Sequence, residues 1–202
     1  MEAGVATAPR QQRFLARREA RRRRVLGAGL ARFAQQGFHE TSVEDVVAEA
    51  RTSKSTFYEF FQSKEDCFRE LLEQEGGALM HAVVDAARQG SDARERLRRG
   101  ITAFVELCAG RAPLARLFLV ESVGLSPRIE DVRHRLHARF AELVEEEVTR
   151  ARDEDRLYAD ADAQVFGRAL IGAVNEATIH FLSRAGNDPA AVSRELCRIF
   201  AP

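Results

Sequence analysis

Two short helix patterns, separated by only a few residues within positions 41–61, constrain the fold of this chain more than any other feature. Thr41 is a suitable N-cap for the first helix, and Glu44 three residues later completes a capping box. A tight break follows, and Ser53 is expected to cap the second helix. Two helices joined by such a turn form a helix-turn-helix, in which the N-terminal residues of the second helix meet base edges in the major groove.

The start of the second helix carries residues that suit contact with DNA. They are small hydroxyl donors and one cation, namely Ser53, Lys54, Ser55 and Thr56. Free backbone N–H groups and the helix dipole favour phosphate at such a position. The same residues would also serve as an ordinary capped helix start, and helix-turn-helix patterns alone have many false matches. The surrounding residues must therefore decide between the two interpretations.

The run from Gly37 to Glu65 closely resembles the DNA-binding signature of the TetR family of bacterial transcriptional repressors. The matching positions are Gly37, Phe38, Thr41, Val43, Ala50, Ser53, Ser55, Phe57, Tyr58, Phe61, Ser63, Lys64 and Glu65. Arg51 departs from the pattern, because the family usually has a glycine with positive φ at the end of the first helix. A non-glycine residue with positive φ is uncommon and strained, so this departure bears on the geometry of the turn and not on its existence.

This resemblance implies roles for individual residues. Phosphate contacts are implied for Thr41, Tyr58 and Lys64, and base-edge contacts for Lys54, Ser55 and Thr56. Phe57 and Phe61 are implied to be core residues. Phosphate contacts position a protein on DNA, whereas base contacts specify the sequence. The implied partners are a palindromic double-stranded operator, a second copy of the chain, and a small-molecule effector that releases a repressor from DNA.

Charge is balanced over the whole chain but not along it. The 31 Lys and Arg residues equal the 31 Asp and Glu residues, which by itself argues against a nucleic-acid-binding protein. Residues 1–64 carry 12 basic against 7 acidic residues, an excess of five, whereas residues 65–202 carry 19 against 24. The only two lysines are Lys54 and Lys64. A basic first segment and an acidic remainder indicate that only the first meets DNA.

An arginine cluster precedes the signature. Eight arginines fall between Arg10 and Arg24, with Glu19 as the only acidic residue among them. The cluster could be the solvated face of a first helix, or it could neutralise phosphates, each contact releasing about one counterion. Because it directly precedes the signature, we favour DNA, with Arg21 and Arg24 as contacts. Residues 1–15 are expected to form a disordered basic arm.

The three cysteines, Cys67, Cys108 and Cys197, lie far apart, and an odd number cannot pair completely. We interpret them as small buried apolar residues in a reducing cytoplasm. No signal peptide precedes the arginine cluster, and no apolar segment is long enough to span a bilayer. The expected location is the cytoplasm, with no membrane partner.

The remaining sequence repeats one pattern, an amphipathic helix followed by a short break, with no strand-like alternation. The expected fold is therefore all-α, with an N-terminal three-helix helix-turn-helix domain at 16–64 and a C-terminal helical effector-binding and dimerisation domain at 65–202. Gly76 and Gly77 are expected to break the helix capped by Ser63, where the domains join. Further helix starts are expected at Pro113, Pro127, Asp160 and Pro189.

The helix expected over 160–184 has two apolar faces, which require two partners. One can pack within the chain, and the other would stay exposed unless a second subunit covered it. We expect a homodimer in which this helix and the helix over 127–152 pair with their two-fold mates, Gly167 and Gly172 permitting close approach. The residues assigned to this interface are Val165, Gly172, Ile179 and Leu182.

A ligand cavity in the body is implied by the same resemblance. Large apolar side chains beside a few polar ones are typical of a small-molecule site. The residues assigned to it are Phe104, Cys108, Phe118, Glu121, Phe140 and Asn175. Each of them could equally belong to a packed core. The nearby Arg111 and Arg116 favour a neutral or anionic lipophilic molecule. The alternative is a helix-turn-helix regulator controlled by a protein partner, or by no ligand.

An enzyme or a metalloprotein agrees less well with the sequence. Asp131, His134 and His137 are spaced by three residues and could offer metal ligands on one helix face. A second helix with a complementary pattern is missing, so solvated histidines are the better interpretation. The sequence has no glycine-rich phosphate loop and no nucleophile motif. We expect no catalytic residue, metal or cofactor.

Overall fold

A computed structural model describes residues 9–154, 158, 160–182, 186 and 188–202. Within these residues the regular structure is entirely helical, which confirms the all-α prediction. The helices are α1 (Pro9–Gln36), α2 (Val43–Glu49), α3 (Lys54–Tyr58), α4 (Lys64–Ala87), α5 (Ala93–Gly110), α6 (Ala112–Arg116), α7 (Pro127–Glu154), α8 (Ala163–Leu182) and α9 (Pro189–Phe200). A π-helical segment, Leu117–Glu121, directly follows α6. None of the described helices is long and apolar enough to cross a membrane.

The chain divides into two compact units, one ending at Leu71 and the other beginning at Leu72. We call the second unit the body and the first the DNA-binding unit, after the role that the sequence analysis expects of it. The division falls inside α4 rather than after Lys64 as expected. Residues 9–15 belong to α1 and not to a disordered arm, which corrects that prediction. The Arg, Gln and Leu residues there have high helix propensity. Residues 1–8 lie outside the described part of the chain.

Phenylalanine rings form the core of the DNA-binding unit. Phe33 of α1, Phe57 of α3 and Phe68 of α4 are all fully buried. The ring of Phe68 meets Phe33 edge-on, with 5.4 Å between centroids, and lies 4.9 Å from the ring of Phe38. Such aromatic pairs contribute about 0.5–1.5 kcal/mol beyond their burial. This core holds α2 and α3, which are too short to be stable as isolated helices.

Helix α2 begins with a capping box that lies one residue later than predicted. The Ser42 hydroxyl accepts the N–H of Asp45 at 3.1 Å, and the Asp45 carboxylate accepts the N–H of Ser42 at 2.8 Å. The prediction of Thr41 and Glu44 is wrong because Thr41 points inward. Its side chain is 1% exposed, and its hydroxyl donates to the Gly37 carbonyl at 2.7 Å.

Helix α2 ends in a Schellman motif that contains Arg51. The N–H of Arg51 donates to the Ala48 carbonyl at 3.1 Å, and the N–H of Thr52 donates to the Val47 carbonyl at 2.9 Å. Arg51 has φ of 49°, and no other non-glycine residue in the described ranges has positive φ. Arg51 therefore adopts the strained left-handed conformation, and the turn keeps its usual hydrogen bonds.

Helix α4 runs without interruption through Gly76 and Gly77, so the break predicted there is wrong. Close packing accounts for Gly76: a Cβ at this position would lie 2.5 Å from Cδ1 of Leu136, so a larger residue would displace that side chain. A Cβ at Gly77 would meet nothing within 4 Å. Gly77 is tolerated inside the helix at a cost of about 1 kcal/mol.

Pairs of long helices build the body, with α7 packed along α8 and α5 packed along α9. Gly167 permits the first pairing, because a Cβ there would lie 2.7 Å from the Ala141 carbonyl oxygen. The close approach that we assigned to a dimer partner is thus made by this chain's own α7. Gly172, by contrast, is exposed and would meet nothing within 4 Å. The helix starts predicted at Pro127 and Pro189 are confirmed.

Candidate functional site

The N-terminal end of α3 presents a cluster of hydrogen-bond donors. Ser53 caps the helix as predicted, its hydroxyl accepting the N–H of Thr56 at 3.2 Å. The same oxygen lies 2.8 Å from Oγ of Ser55 and 3.1 Å from Oγ1 of Thr56. Ser53, Lys54 and Ser55 are exposed, and Thr56 is half-buried. Three hydroxyls and an ammonium group at a positive helix end can donate hydrogen bonds to phosphates or base acceptors.

Lys54 is engaged by an acidic residue that the sequence analysis treated only as a cap. Its ammonium group forms an ion pair with the carboxylate of Glu44 in the first turn of α2. This hydrogen bond raises the pKa of Lys54 and lowers the pKa of Glu44. Both side chains are exposed, so water competes for the pair. Contact with DNA would require Lys54 to exchange Glu44 for a nucleic-acid acceptor.

Tyr58 is the exposed aromatic residue of α3. Its side chain is 55% exposed, and its ring packs edge-on against Phe57 with 5.4 Å between centroids. Phe57 and Phe61 are 0% and 1% exposed, in agreement with their predicted place in the core. The buried pair anchors α3, while the Tyr58 ring remains accessible and carries a phenol that can bond to a phosphate oxygen.

Thr41 and Lys64, both assigned to phosphate, are instead engaged within the DNA-binding unit. Nζ of Lys64 donates to the carbonyls of Phe38 at 2.7 Å and His39 at 3.2 Å, and it lies 4.4 Å from the Phe38 ring centroid. Burial lowers the pKa of Lys64. Thr41 is buried and bonded to Gly37. Because a buried hydroxyl cannot reach a phosphate, the assignment of the Thr41 side chain is corrected to a structural role.

The arginine cluster is partly used to hold α1 in place. Arg18 and Arg21 lie 3.4 and 3.7 Å from the carboxylate of Glu59, the residue that follows α3. Arg21 is therefore engaged near the C-terminal end of α3, and not near the donors at its start. Arg24 is exposed. Part of the cluster thus pairs with Glu59, which the sequence analysis did not predict, and part of it forms the solvated face that was one of the two interpretations.

The body contains an apolar cavity of about 200 Å³, here called cavity A. Five of the six residues assigned to a ligand site line it, and these are Phe104, Cys108, Phe118, Phe140 and Asn175. Glu121 is the exception, because its carboxylate turns toward Arg116, 3.6 Å away. The lining also includes Leu72, Leu79, Leu114, Leu136 and Ile171. A largely apolar lining with few polar groups is typical of ligand sites.

The π-helical segment supplies one wall of cavity A through Phe118 and Leu119. The N–H of Ser122 donates to the Leu117 carbonyl at 3.0 Å, five residues back, instead of to Phe118. The buried Ser122 hydroxyl donates to the Phe118 carbonyl and replaces the bond that an α-helix would make. Single π-helical turns of this kind are frequent at functional sites.

Two neutral polar side chains face cavity A. Nε2 of His137 lies 3.3 Å from Nδ2 of Asn175. Burial lowers the pKa of His137, and the positive charges of Arg133 and His134 act in the same direction. The solvated state expected for His137 is therefore wrong, since its ring is half-buried and paired. Burial also raises the pKa of the Cys108 thiol to about 12, so the thiol is protonated and uncharged.

A second cavity of about 230 Å³, here called cavity B, lies in the same body. Four residues line both cavities, namely Phe104, Phe140, Ile171 and Val174. The remaining apolar lining of cavity B includes Val83, Val84, Ala87, Leu97 and Leu170. The sequence analysis did not foresee this cavity, because its residues come from four helices that are distant along the chain.

Two family models match separate segments of the chain. Residues 25–71 match the bacterial regulatory proteins of the tetR family, and residues 90–201 match the tetracyclin repressor-like C-terminal domain. The second match alone covers more than half of the 202 residues. The chain belongs to the TetR family. It is a DNA-binding transcription regulator and not an enzyme, which confirms the resemblance found in the signature.

Individual relatives of this TetR-family regulator are distant. The transcriptional activator FasR of Mycolicibacterium smegmatis is 27% identical over 112 residues, which are 55% of this chain and only about half, 51%, of FasR. The regulator YdgC of Bacillus subtilis is 21% identical over 182 residues, 88% of this chain and 89% of YdgC.

Solved structures of similar length superpose over nearly the whole chain. The fatty acid degradation regulator FadR of Bacillus halodurans has a TM-score of 0.81 at 15% identity, covering 90% of this chain and 94% of FadR. FadR of Bacillus subtilis, in complex with stearoyl-CoA, has a TM-score of 0.79 at 17% identity, covering 88% and 96%. At these identities the likeness shows the fold alone.

Glu44 and His137 contact predicted site residues of this TetR-family regulator, but the sequence analysis did not include them in a site. Glu44 lies in the helix before Lys54, and its negative charge was the available signal for the ion pair with that lysine. His137 was grouped with His134, which is 75% exposed and lies beside Glu130. Among the described residues no group of three side chains could hold a metal ion. The separate surroundings of the two histidines follow from helix packing that spacing alone does not reveal.

Proposed function

We propose that this TetR-family regulator is a homodimeric repressor that binds a palindromic operator in the cytoplasm and is released by a small lipophilic effector. The observation that carries the proposal is the pairing, in one chain, of exposed donors at the start of α3 with an apolar cavity in the body. An effector that favours a body conformation unsuited to the operator weakens DNA binding. By thermodynamic reciprocity DNA then weakens the effector by the same factor, with coupling of about 1–3 kcal/mol.

The DNA contacts in this proposal come from two kinds of residue. Lys54, Ser55 and Thr56 read base edges, whereas Tyr58 holds a phosphate. The exposure of Lys54, Ser55 and Tyr58 supports these roles. Tyr58→Phe should weaken binding to operator and random DNA alike, and Lys54→Ala should change the sequence preference. Selection from a randomised DNA library measures both. Wild-type affinity and preference in both variants would refute the assignment.

The proposed dimer forms through α7 and α8. Its support is the outer face of α8, where Val165 is 64% exposed, Gly172 is open and Ile179 is half-buried. The side chain of Leu182, also assigned to this interface, lies outside the described residues. Gly172→Arg should give monomers in sedimentation velocity, because a charge would face the partner's apolar surface. The control Gly110→Arg, at an exposed glycine of α5, should remain dimeric.

The effector in this proposal carries a long aliphatic chain. Its support is the apolar lining of cavity A, with His137 and Asn175 as neutral polar partners, and the FadR neighbour solved with stearoyl-CoA. The test is to titrate stearoyl-CoA against the purified protein with and without its operator. We expect weaker acyl-CoA binding in the presence of operator. Equal affinity for both forms would refute the coupled mechanism.

An activator is the second candidate, because the relative FasR is named as one. A repressor and an activator behave alike in a DNA-binding assay, but they have opposite effects on transcription in the cell. Deletion of the gene should raise expression of the target promoter if the protein is a repressor and lower it if the protein is an activator. A promoter fused to a reporter, measured in the deletion strain and in the complemented strain, separates them.

A further inference from the structure

Cavities A and B are separately too small for a typical ligand but adjoin each other. Small-molecule sites commonly occupy about 300–1,000 Å³. The volumes of cavity A, about 200 Å³, and cavity B, about 230 Å³, each lie below that range, whereas their sum lies within it. Their common lining by Phe104, Phe140, Ile171 and Val174 places the two volumes on opposite sides of one wall.

Two aromatic rings form the centre of that wall. Phe104 of α5 and Phe140 of α7 meet edge-on, with 6.0 Å between centroids and 88° between ring planes. Phe104 is 7% exposed, and Phe140 is half-buried. Because each ring borders a void on both sides, either can change its rotamer without displacing tightly packed neighbours. The pair can therefore open to an aliphatic chain, which is narrow and apolar.

The polar side chains that line the two cavities differ, and this difference indicates which end of a ligand lies in which cavity. Cavity A carries the neutral pair His137 and Asn175, whose hydrogen-bonding groups can serve a ligand. Charged residues line both cavities, with Arg111 paired to Glu75 in cavity A and with Arg96 and Arg150 paired to Glu147 in cavity B. Arg96 lies 2.7 Å from Glu147, which also lies 3.1 Å from Arg150. Neutral hydrogen-bonding side chains occur in the lining of cavity A but not in that of cavity B, so the polar head group belongs in cavity A and the aliphatic tail extends into cavity B.

We infer that the two cavities are one elongated site divided by the Phe104–Phe140 ring pair, and that this site selects linear aliphatic ligands by length. A long chain keeps its polar head in cavity A and passes between the rings into cavity B. A short chain stays in cavity A and gains nothing from cavity B. This inference rests on the proposed function only in that the effector occupies cavity A.

The test compares octanoyl-CoA with stearoyl-CoA, and octanoate with stearate, by isothermal titration calorimetry on the full chain. Each additional buried methylene favours binding, so wild-type protein should bind each long ligand at least about tenfold more tightly than its short counterpart. The free carboxylates separate the contribution of the chain from that of the CoA group. Chain-length selection should appear in both series.

Two variants fill cavity B without touching cavity A. Gly100 lines cavity B alone, and a Cβ there would lie 3.7 Å from Ala87, so Gly100→Leu would extend into the void. Ala87→Leu fills the same void from α4 and guards against a folding defect in the first variant. Both should weaken the long ligands about tenfold or more and leave the short ones within about twofold. Gly110→Leu, at an exposed glycine of the same helix as Gly100, should match wild type.

The outcomes separate this inference from the proposed function. If neither chain length binds the wild type, both the lipophilic effector and the length selection are wrong. If long chains bind but at the same strength as short ones, or if Gly100→Leu and Ala87→Leu bind stearoyl-CoA like wild type, the length selection is overturned and the effector proposal stands. Selective loss of the long ligands in both variants supports the divided site.

Discussion

The DNA-binding unit and the body differ in how their sites are assembled. The hydrogen-bond donors proposed to contact DNA lie within Ser53–Tyr58, on one short helix and its cap. The lining of cavity A extends from Leu72 to Asn175 and comes from separate helices. A site built from one turn is specified by neighbouring residues in the sequence. A cavity is specified by which helix faces meet, and so a short sequence pattern does not reveal it.

The two units also use phenylalanine differently. In the DNA-binding unit Phe33, Phe57 and Phe68 are fully buried against other side chains, and the unit depends on that packing. In the body Phe104 and Phe140 border the two cavities. A ring beside a void has fewer contacts to lose, because dispersion forces need close neighbours. Phenylalanine therefore forms a packed core in the DNA-binding unit, whereas Phe104 and Phe140 line cavities in the body.

Truncation of one phenylalanine ring in each unit tests most directly whether the two units differ in packing. Phe57→Ala should cost about 3–5 kcal/mol of unfolding free energy, because it leaves a cavity in a packed core. Phe140→Ala should cost roughly half as much, because its ring already borders voids. Urea unfolding followed by circular dichroism measures both. Equal losses would show that the cavities are filled in solution.

Lys54 and Lys64 test whether stability and operator binding depend on different residues of the DNA-binding unit. Lys64→Met should cost roughly 1 kcal/mol of stability, since two carbonyl bonds from a partly exposed ammonium group are lost. Lys54→Met should leave the melting temperature unchanged, because its side chain is exposed, but should alter operator binding. Thermal melts and operator titrations distinguish the roles. A stable Lys64→Met protein with impaired DNA binding would restore the phosphate assignment.

Arg51 offers a smaller stability effect, confined to the DNA-binding unit. Arg51→Gly should stabilise that unit by roughly 0.5–1 kcal/mol, because it relieves the left-handed strain but makes the unfolded chain more flexible. The matched variant Thr52→Gly should be destabilising, since Thr52 is not among the residues with positive φ. The measurement is the midpoint of chemical unfolding. Stabilisation by both, or by neither, would argue against strain at Arg51.

The smallest expected effect is a pH dependence in the body. Burial lowers the pKa of His137 below 6.5, so the folded state binds this proton less readily than the unfolded state does. The stabilisation is fully present above pH 6.5 and is lost as the pH falls through the folded pKa. His137→Gln should flatten the slope of stability against pH below 6.5, whereas His81→Gln, at an exposed position, should not. Equal slopes in both variants would place His137 in solvent.

Most of the fold and about half of the site could be predicted from the sequence. The cap at Ser53 and the starts of α7 and α9 depend on residues within one turn, and all are observed. Errors arose where a residue makes a contact that the pattern used for the prediction does not include. Thr41 bonds back to Gly37, and Gly76 packs against Leu136 without breaking its helix.

The sequence by itself determined the helices, their caps and the residues at the start of α3, because backbone hydrogen bonding and capping act over a few positions. Only the tertiary structure decided which polar side chains remain available. It placed Lys64 against two carbonyls and His137 beside Asn175, and it turned Glu121 away from the cavity. The physical reason is that burial and pairing depend on which helix faces meet, and these contacts join residues far apart along the chain.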